Sequence, residues 1–236
     1  TMNALVLTAA GSSTRMGGPV KKEYLTISTG PEGRVSVLSQ SLSAFLSTKL
    51  FSIIVITVPE GGEAAARAVL AEDGRVARLL GETGALLFFT EGGATRQASV
   101  FAGLETALEA THGTKSDDLV LIHDAARPFV KAETIEAVIE RAREKGAAVP
   151  AIPSVDTEKE IDSSGKITRH LDRSSIVAVQ TPQGFALDAL VRAHRAASGD
   201  GKTYTDDAEI WGRYAGDVWT YPGDRANRKI TYAGDL

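Results

Sequence analysis

The sequence predicts an α/β fold, a mostly parallel sheet covered by helices on both faces. Two observations carry that class: short β-rich apolar runs alternate with longer amphipathic stretches, and each run ends in a loop rich in glycine, proline or charge. The predicted strands are Leu5 to Thr8, Ile53 to Val58, Leu86 to Thr90, Leu119 to His123 and Ala147 to Ile152. Helices are predicted near 38–48, 62–72, 95–110 and 132–145. Between the first strand and first helix, Gly30-Pro31-Glu32-Gly33 supplies turn chemistry for an exposed turn within Thr26 to Val37. Beyond the fifth strand the apolar period drops to two. Val155 to Ile161 alternates, Asp162 to Gly165 makes a turn, and Lys166 to Thr168 returns, which describes a hairpin arm at about 153–175. A lone hairpin is marginally stable in water, so the arm is expected to pack against a second copy in a homodimer. Further on, Tyr204-Thr205-Asp206-Asp207 reads as a helix start, with Thr205 or Asp206 as cap. No repeat, low-complexity tract or linker divides residues 1–236, and a single domain is expected.

Composition narrows the function. Of 236 residues 43% are hydrophobic, enough for a sizeable core. With 26 basic and 30 acidic residues the net charge is -4, which argues for a small-molecule partner and against nucleic acid. The absence of cysteine excludes disulfides, thiolate catalysis and thiolate-bound metals. The apolar run Ala4 to Leu7 is too short for a signal or membrane segment, so a cytoplasmic protein with no membrane association is expected. Thr1 ahead of Met2 reads as a remnant of expression.

In open α/β sheets ligands bind beyond the carboxyl ends of strands, which directs attention to loops 9–22, 91–96 and 124–128. The first, Ala9-Ala10-Gly11-Ser12-Ser13-Thr14-Arg15-Met16-Gly17-Gly18, is small enough for backbone N–H groups to approach a polyphosphate. It matches neither the Walker nor the dinucleotide glycine pattern, so P-loop hydrolases and nicotinamide dehydrogenases lose ground. Arg15, Lys21 and Lys22 add cations that would neutralise departing pyrophosphate, although the same residues suit a solvated basic turn. Asp124 follows an apolar strand and could hold magnesium against phosphate oxygens, or else cap the next helix or pair with Arg127. His123 has no partner at metal-ligand spacing and is expected to pack or orient a neighbour.

Taken in order, Ala9-Ala10-Gly11, Arg15-Met16, Lys22, Gly92-Gly93 with Arg96 to Ser99, and His123-Asp124-Ala125-Ala126-Arg127-Pro128 resemble the 2-C-methyl-D-erythritol 4-phosphate cytidylyltransferases. The resemblance continues through Val155-Asp156-Thr157, Leu171-Asp172-Arg173, Gln180 to Phe185, Thr205-Asp206-Asp207-Ala208 and Asn227 to Thr231, nearly the whole chain. It implies a Rossmann-like nucleotidyltransferase sheet with the arm as dimer contact, and transfer of CMP from CTP to methylerythritol phosphate in isoprenoid biosynthesis. By the same resemblance Ala9, Ala10, Gly11, Gly92, Gly93 and Ser99 would lie along the nucleotide. Arg15 and Lys22 would hold the triphosphate, Asp124 would bind Mg2+, and Lys229 would act at the α-phosphate. Arg127, Thr157, Arg173 and Lys229 would surround the acceptor, Thr157 reaching a site shared between subunits. Ala94 and Thr95 stand where the family commonly has polar or acidic residues, and Arg228 replaces an apolar one. A D-ribitol-5-phosphate cytidylyltransferase and a non-catalytic nucleotide-binding module are the alternatives. Chemistry itself is consistent with the resemblance: a phosphate nucleophile needs alignment and charge neutralisation, not a general base.

Overall fold

The computed structural model describes residues 1–11 and 20–235. The chain opens with β1 (Asn3–Thr8), then a hairpin of β2 (Thr26–Gly30) and β3 (Gly33–Ser36) feeding α1 (Val37–Ser47). Next come β4 (Ile53–Val58), α2 (Glu63–Ala71), α3 (Gly74–Thr83), β5 (Leu86–Glu91), α4 (Arg96–Ala110), β6 (Leu119–Asp124) and α5 (Ala132–Lys145). The second half holds β7 (Ala147–Pro153), β8 (Lys159–Ile161), β9 (Ile167–His170), β10 (Val177–Val179), β11 (Gln183–Ala186), α6 (Leu187–Ser198), α7 (Asp207–Tyr214) and β12 (Trp219–Pro222).

The main sheet runs β5-β4-β1-β6-β11-β7-β10, with β12 also paired to β7. Strands β5, β4, β1 and β6 are parallel, while β11 is antiparallel to both neighbours. Their register puts Thr8 opposite Thr57 and Asp124, and Thr57 opposite Thr90. The carboxyl ends of four strands therefore form one edge.

Strand alternation sorts the core into two layers. Leu5, Leu7, Ile54, Ile56 and Leu121 pack with Leu38, Leu42 and Phe45 of α1 and Ile135 and Val138 of α5. Ala4, Val6, Val55, Val120 and Ile122 pack with Val100 and Leu104 of α4, Leu190 of α6 and Trp211 of α7. Both layers exclude water almost completely, each large side chain contributing about 1.5–3 kcal/mol. Polar side chains fix the helix starts. Ser36 and Ser39 form a capping box on α1, Thr95 accepts from Ala98 N–H on α4, and Asp206 accepts from Glu209 N–H on α7.

The hairpin leaves the main sheet as the sequence predicts, β8 and β9 pairing only with each other, but its first strand is confined to Lys159–Ile161 and does not begin at Val155. Asp162 Oδ1 accepts from Ser164 and Lys166 N–H at its turn, and Gly165 takes a φ of 86°. The exposed turn at Pro31-Glu32 closes a second hairpin, which rests on Asp73. There Gly33 has a φ of 115°, and a Cβ would sit 2.0 Å from the Glu72 carbonyl oxygen. No helix among the described residues is long and apolar enough to cross a membrane.

Candidate active site

Three loops leave the carboxyl edge together. Ala9 N–H donates to Thr57 O at 3.0 Å, Gly92 N–H to Val58 O at 2.8 Å, and Ala125 N–H to Thr8 O at 3.1 Å, so each loop prolongs the ladder by one residue. A Cβ on Gly92 would lie 2.4 Å from Ala10 Cβ and 2.6 Å from Ser99 Oγ, and one on Gly93 would lie 2.4 Å from Ala98 Cβ. Only glycine permits this approach, which brings together Ala10, Gly92 and Ser99, three of the residues that the resemblance places along the nucleotide. Ser99 Oγ donates to Thr95 O at 3.0 Å within α4. Lys21 Nζ donates to the Gly11 carbonyl and pairs with Glu23 at 3.4 Å, so the segment carrying Lys22 returns to the glycine loop. Arg15, in 12–19, lies outside the described residues.

Asp124 ends β6, a position that on sequence also allowed a helix cap or a pairing with Arg127. Its partners are instead Lys229 Nζ at 2.6 Å and Arg96 Nε at 3.5 Å. Burial pushes its carboxyl up, but Lys229 and Arg96 outweigh that and hold it well below the usual carboxylate range. Thr8 Oγ1 adds a hydrogen bond to Oδ1 at 3.3 Å. Lys229 is delivered by a neighbouring anchor: Ile230 is wholly buried and its N–H donates to Ala126 O at 2.8 Å.

A polar relay beneath the carboxylate sets its backbone. His123 Nε2 lies 3.0 Å from Arg127 O and its Nδ1 3.0 Å from Thr181 Oγ1, while Asp124 N–H donates to that same hydroxyl at 3.1 Å. These contacts require the proton on Nε2. Burial lowers the His123 pKa to about 4, so the ring is neutral and orients its neighbours. Asn227, also buried, donates from Nδ2 to Thr181 O at 2.8 Å, and its own carbonyl accepts from Arg127 Nη1 at 2.7 Å.

Two candidate residues stay apart from this cluster. Thr157 precedes β8, and Arg173 donates from Nη1 to Val155 O at 3.2 Å. Neither bonds to Asp124, Arg127 or Lys229. Arg173 instead lines a cleft of about 750 Å³ at the base of the arm with Arg225, Ser154 and Ile176. Conversely, Arg96 and Asp207 belong to the site although the sequence reading gave them no role. Arg96 Nη1 donates to Asp207 Oδ2 at 2.8 Å. The signal available was Arg96 at the first position of the helix after the Gly92-Gly93 loop. Trp211 and Trp219 pack outside this cluster: Trp211 is buried against Phe185, and Trp219 lies under the Lys145 ammonium.

Among the described residues no cluster of three or more His, Asp or Glu side chains could hold a metal by itself. Asp124 fits a divalent cation shared with a ligand, because Mg2+ takes one or two carboxylates and completes its shell with phosphate and water. An ionised carboxylate among Lys229, Arg96 and a glycine-lined loop, at the carboxyl edge of an α/β sheet, is an arrangement suited to handling phosphate. Comparison with known proteins narrows the class. The family model for 2-C-methyl-D-erythritol 4-phosphate cytidylyltransferase matches residues 3–236, and the chain belongs to this family. A Bradyrhizobium sp. (strain ORS 278) protein named bifunctional enzyme IspD/IspF is 40% identical over 99% of this chain and 54% of its own length. A Rhodopseudomonas palustris (strain HaA2) protein of the same name is 38% identical over 99% and 53%. The chain thus spans about half the length of these curated relatives. Among solved structures, the 2-C-methyl-D-erythritol 4-phosphate cytidylyltransferase of Thermus thermophilus is 30% identical with a TM-score of 0.72, covering 100% of this chain and 95% of that one. A 4-diphosphocytidyl-2C-methyl-D-erythritol synthase from Anaerococcus prevotii DSM 20548, 24% identical, shares the fold with a TM-score of 0.76 over 99% and 92%.

Proposed function

We propose that this chain transfers CMP from CTP to 2-C-methyl-D-erythritol 4-phosphate, releasing pyrophosphate and forming CDP-methylerythritol for isoprenoid biosynthesis. The observation that carries the reading is the Asp124–Lys229 pair at the parallel-sheet edge, beside the Ala10, Gly92 and Ser99 convergence. Cytosine would lie against that convergence, where the exposed Gly93-Ala94 segment leaves backbone groups for recognition. Arg15 and Lys22 would hold the triphosphate. Asp124 would hold Mg2+ against the phosphates, and the cation would supply further charge neutralisation there. A phosphate oxygen of the acceptor attacks the α-phosphorus, the α–β P–O bond breaks, and pyrophosphate departs with the electron pair. Lys229 would turn from Asp124 to the α-phosphate oxygens as charge gathers on them. Arg127, already oriented by Asn227 O, Thr157 and Arg173 would surround the acceptor.

A homodimer is part of this proposal. Thr157 and Arg173 sit on or beside the arm and not against Asp124, so a second copy is the simplest way to bring them to a site. A cytoplasmic location accords with small soluble substrates. Pyrophosphate release from CTP and Mg2+ that begins only when methylerythritol phosphate is added is the expected result; no release with that acceptor would overturn the reading.

A further inference from the structure

Resting on that reading, we propose that Asp207 and His194 are positioning residues of the transfer reaction, which fix Arg96 beside Asp124 through a buried chain of polar contacts. Asp207 is the first residue of α7 and His194 lies on α6, and both are buried. His194 Nε2 donates to Asp207 Oδ1 at 3.0 Å, Asp207 Oδ2 accepts from Arg96 Nη1 at 2.8 Å, and Arg96 Nε stands 3.5 Å from Asp124 Oδ1. Phe101 stacks on the His194 ring at 5.9 Å and 14°, fixing its plane.

An apolar cluster of similar volume would pack these helices as well or better, because buried charge is costly to desolvate. What the charges add is direction. Asp207 engages one edge of the guanidinium, so Arg96 approaches Asp124 only from its Nε side and leaves Lys229 as the nearer cation. Nη2 of Arg96 bonds no protein group among the described residues, and the side chain keeps 29% exposure, so donors remain for an incoming phosphate oxygen. Without Asp207 the fork is released to grip Asp124 with both arms, in competition with Lys229. The contact puts a proton on Nε2, and His194 Nδ1 has no partner among the described residues.

The test combines kinetics with a spectroscopic readout. In wild-type chain labelled with ¹⁵N-histidine, with His194 assigned from His194→Gln, CTP should shift the His194 ring resonances although histidine meets Arg96 only through Asp207. Asp207→Asn and His194→Phe should lower kcat about tenfold or more while KM for CTP stays within about threefold, as for outer groups that orient a catalytic one. His194→Gln, which keeps an N–H toward Asp207, should recover most of the rate. Unmoved His194 resonances at saturating CTP would overturn the assignment, as would unchanged kcat in folded Asp207→Asn; the wild-type titration decides even if a variant misfolds. Wild-type protein that takes up no CTP in calorimetry would overturn the underlying reading and this assignment with it.

Discussion

Lys229 contributes in two ways that experiments can separate. It neutralises buried Asp124 in the free protein, and in the proposed reaction it meets charge that develops only as the α–β bond breaks. An interaction stronger in the transition state than in the ground state affects turnover more than binding. Lys22→Ala and Lys229→Ala should therefore lower kcat by about 10²–10³-fold and CTP affinity far less, in steady-state assays beside calorimetry. Unchanged turnover in both variants would remove them from the mechanism. His123 makes a separate prediction about stability. Its folded pKa of about 4 lies below the unfolded value of 6.5, so the unfolded chain binds the proton first as pH falls. Stability of metal-free protein should hold above pH 6.5 and fall between 6.5 and 4, by about 3 kcal/mol at 1.36 kcal/mol per unit. Asp124 and Asp207, both depressed, are lost only at lower pH. Urea midpoints that stay level from pH 7 to 4.5 would contradict the neutral, buried ring.

At the scale of elements, Gly103 shows how packing overrides propensity. In the middle of α4, alanine would gain about 1 kcal/mol of helix propensity. Its Cβ, however, would lie 2.6 Å from Val6 Cγ1 and 3.1 Å from Thr57 Cγ2, and such overpacking costs about 1–3 kcal/mol. Gly103→Ala should be net destabilising by about 1 kcal/mol, seen as a lower urea midpoint at unchanged slope; a higher midpoint would show that α4 shifts freely. The parallel core was legible because β4 and β6 are continuous apolar runs and Asp124 sits where such a run ends. The helices at 62–72 and 132–145 were legible from their period and fall at Glu63–Ala71 and Ala132–Lys145. Less could be read where signals are short or mixed. Helix α3 carries glycine at its first residue and at Gly81, β10 and β11 have three and four residues, and α6 and α7 follow no strong strand signal. Asp207 was read as part of a helix start and of the family resemblance, with no role of its own. Its pairing with Arg96 spans 111 positions and has no local signature.

For the molecule as a whole, the proposed assembly turns on the arm. Val155, Ile161 and Ile167 are 60%, 64% and 48% exposed, and Val177 of β10 is 44% exposed. Apolar side chains on a hairpin that pairs only with itself call for a covering surface. Replacing 158–171 by a short Gly-Ser turn should give a monomer by sedimentation equilibrium. Transfer should fall with it, because Thr157 and Arg173 would no longer be held in place. Monomeric behaviour of the unaltered chain at micromolar concentration would contradict the shared site. In the proposed dimer the sheet edge would carry the nucleotide chemistry in each copy, so CTP binding should survive the deletion.

The central claim is the acceptor and the group transferred to it. Purified chain should be incubated with CTP, Mg2+ and either methylerythritol 4-phosphate or ribitol 5-phosphate, with the CDP-linked product followed by chromatography. The account predicts CDP-methylerythritol and stoichiometric pyrophosphate with the first acceptor alone. Product with ribitol phosphate alone, or with neither acceptor, would contradict it.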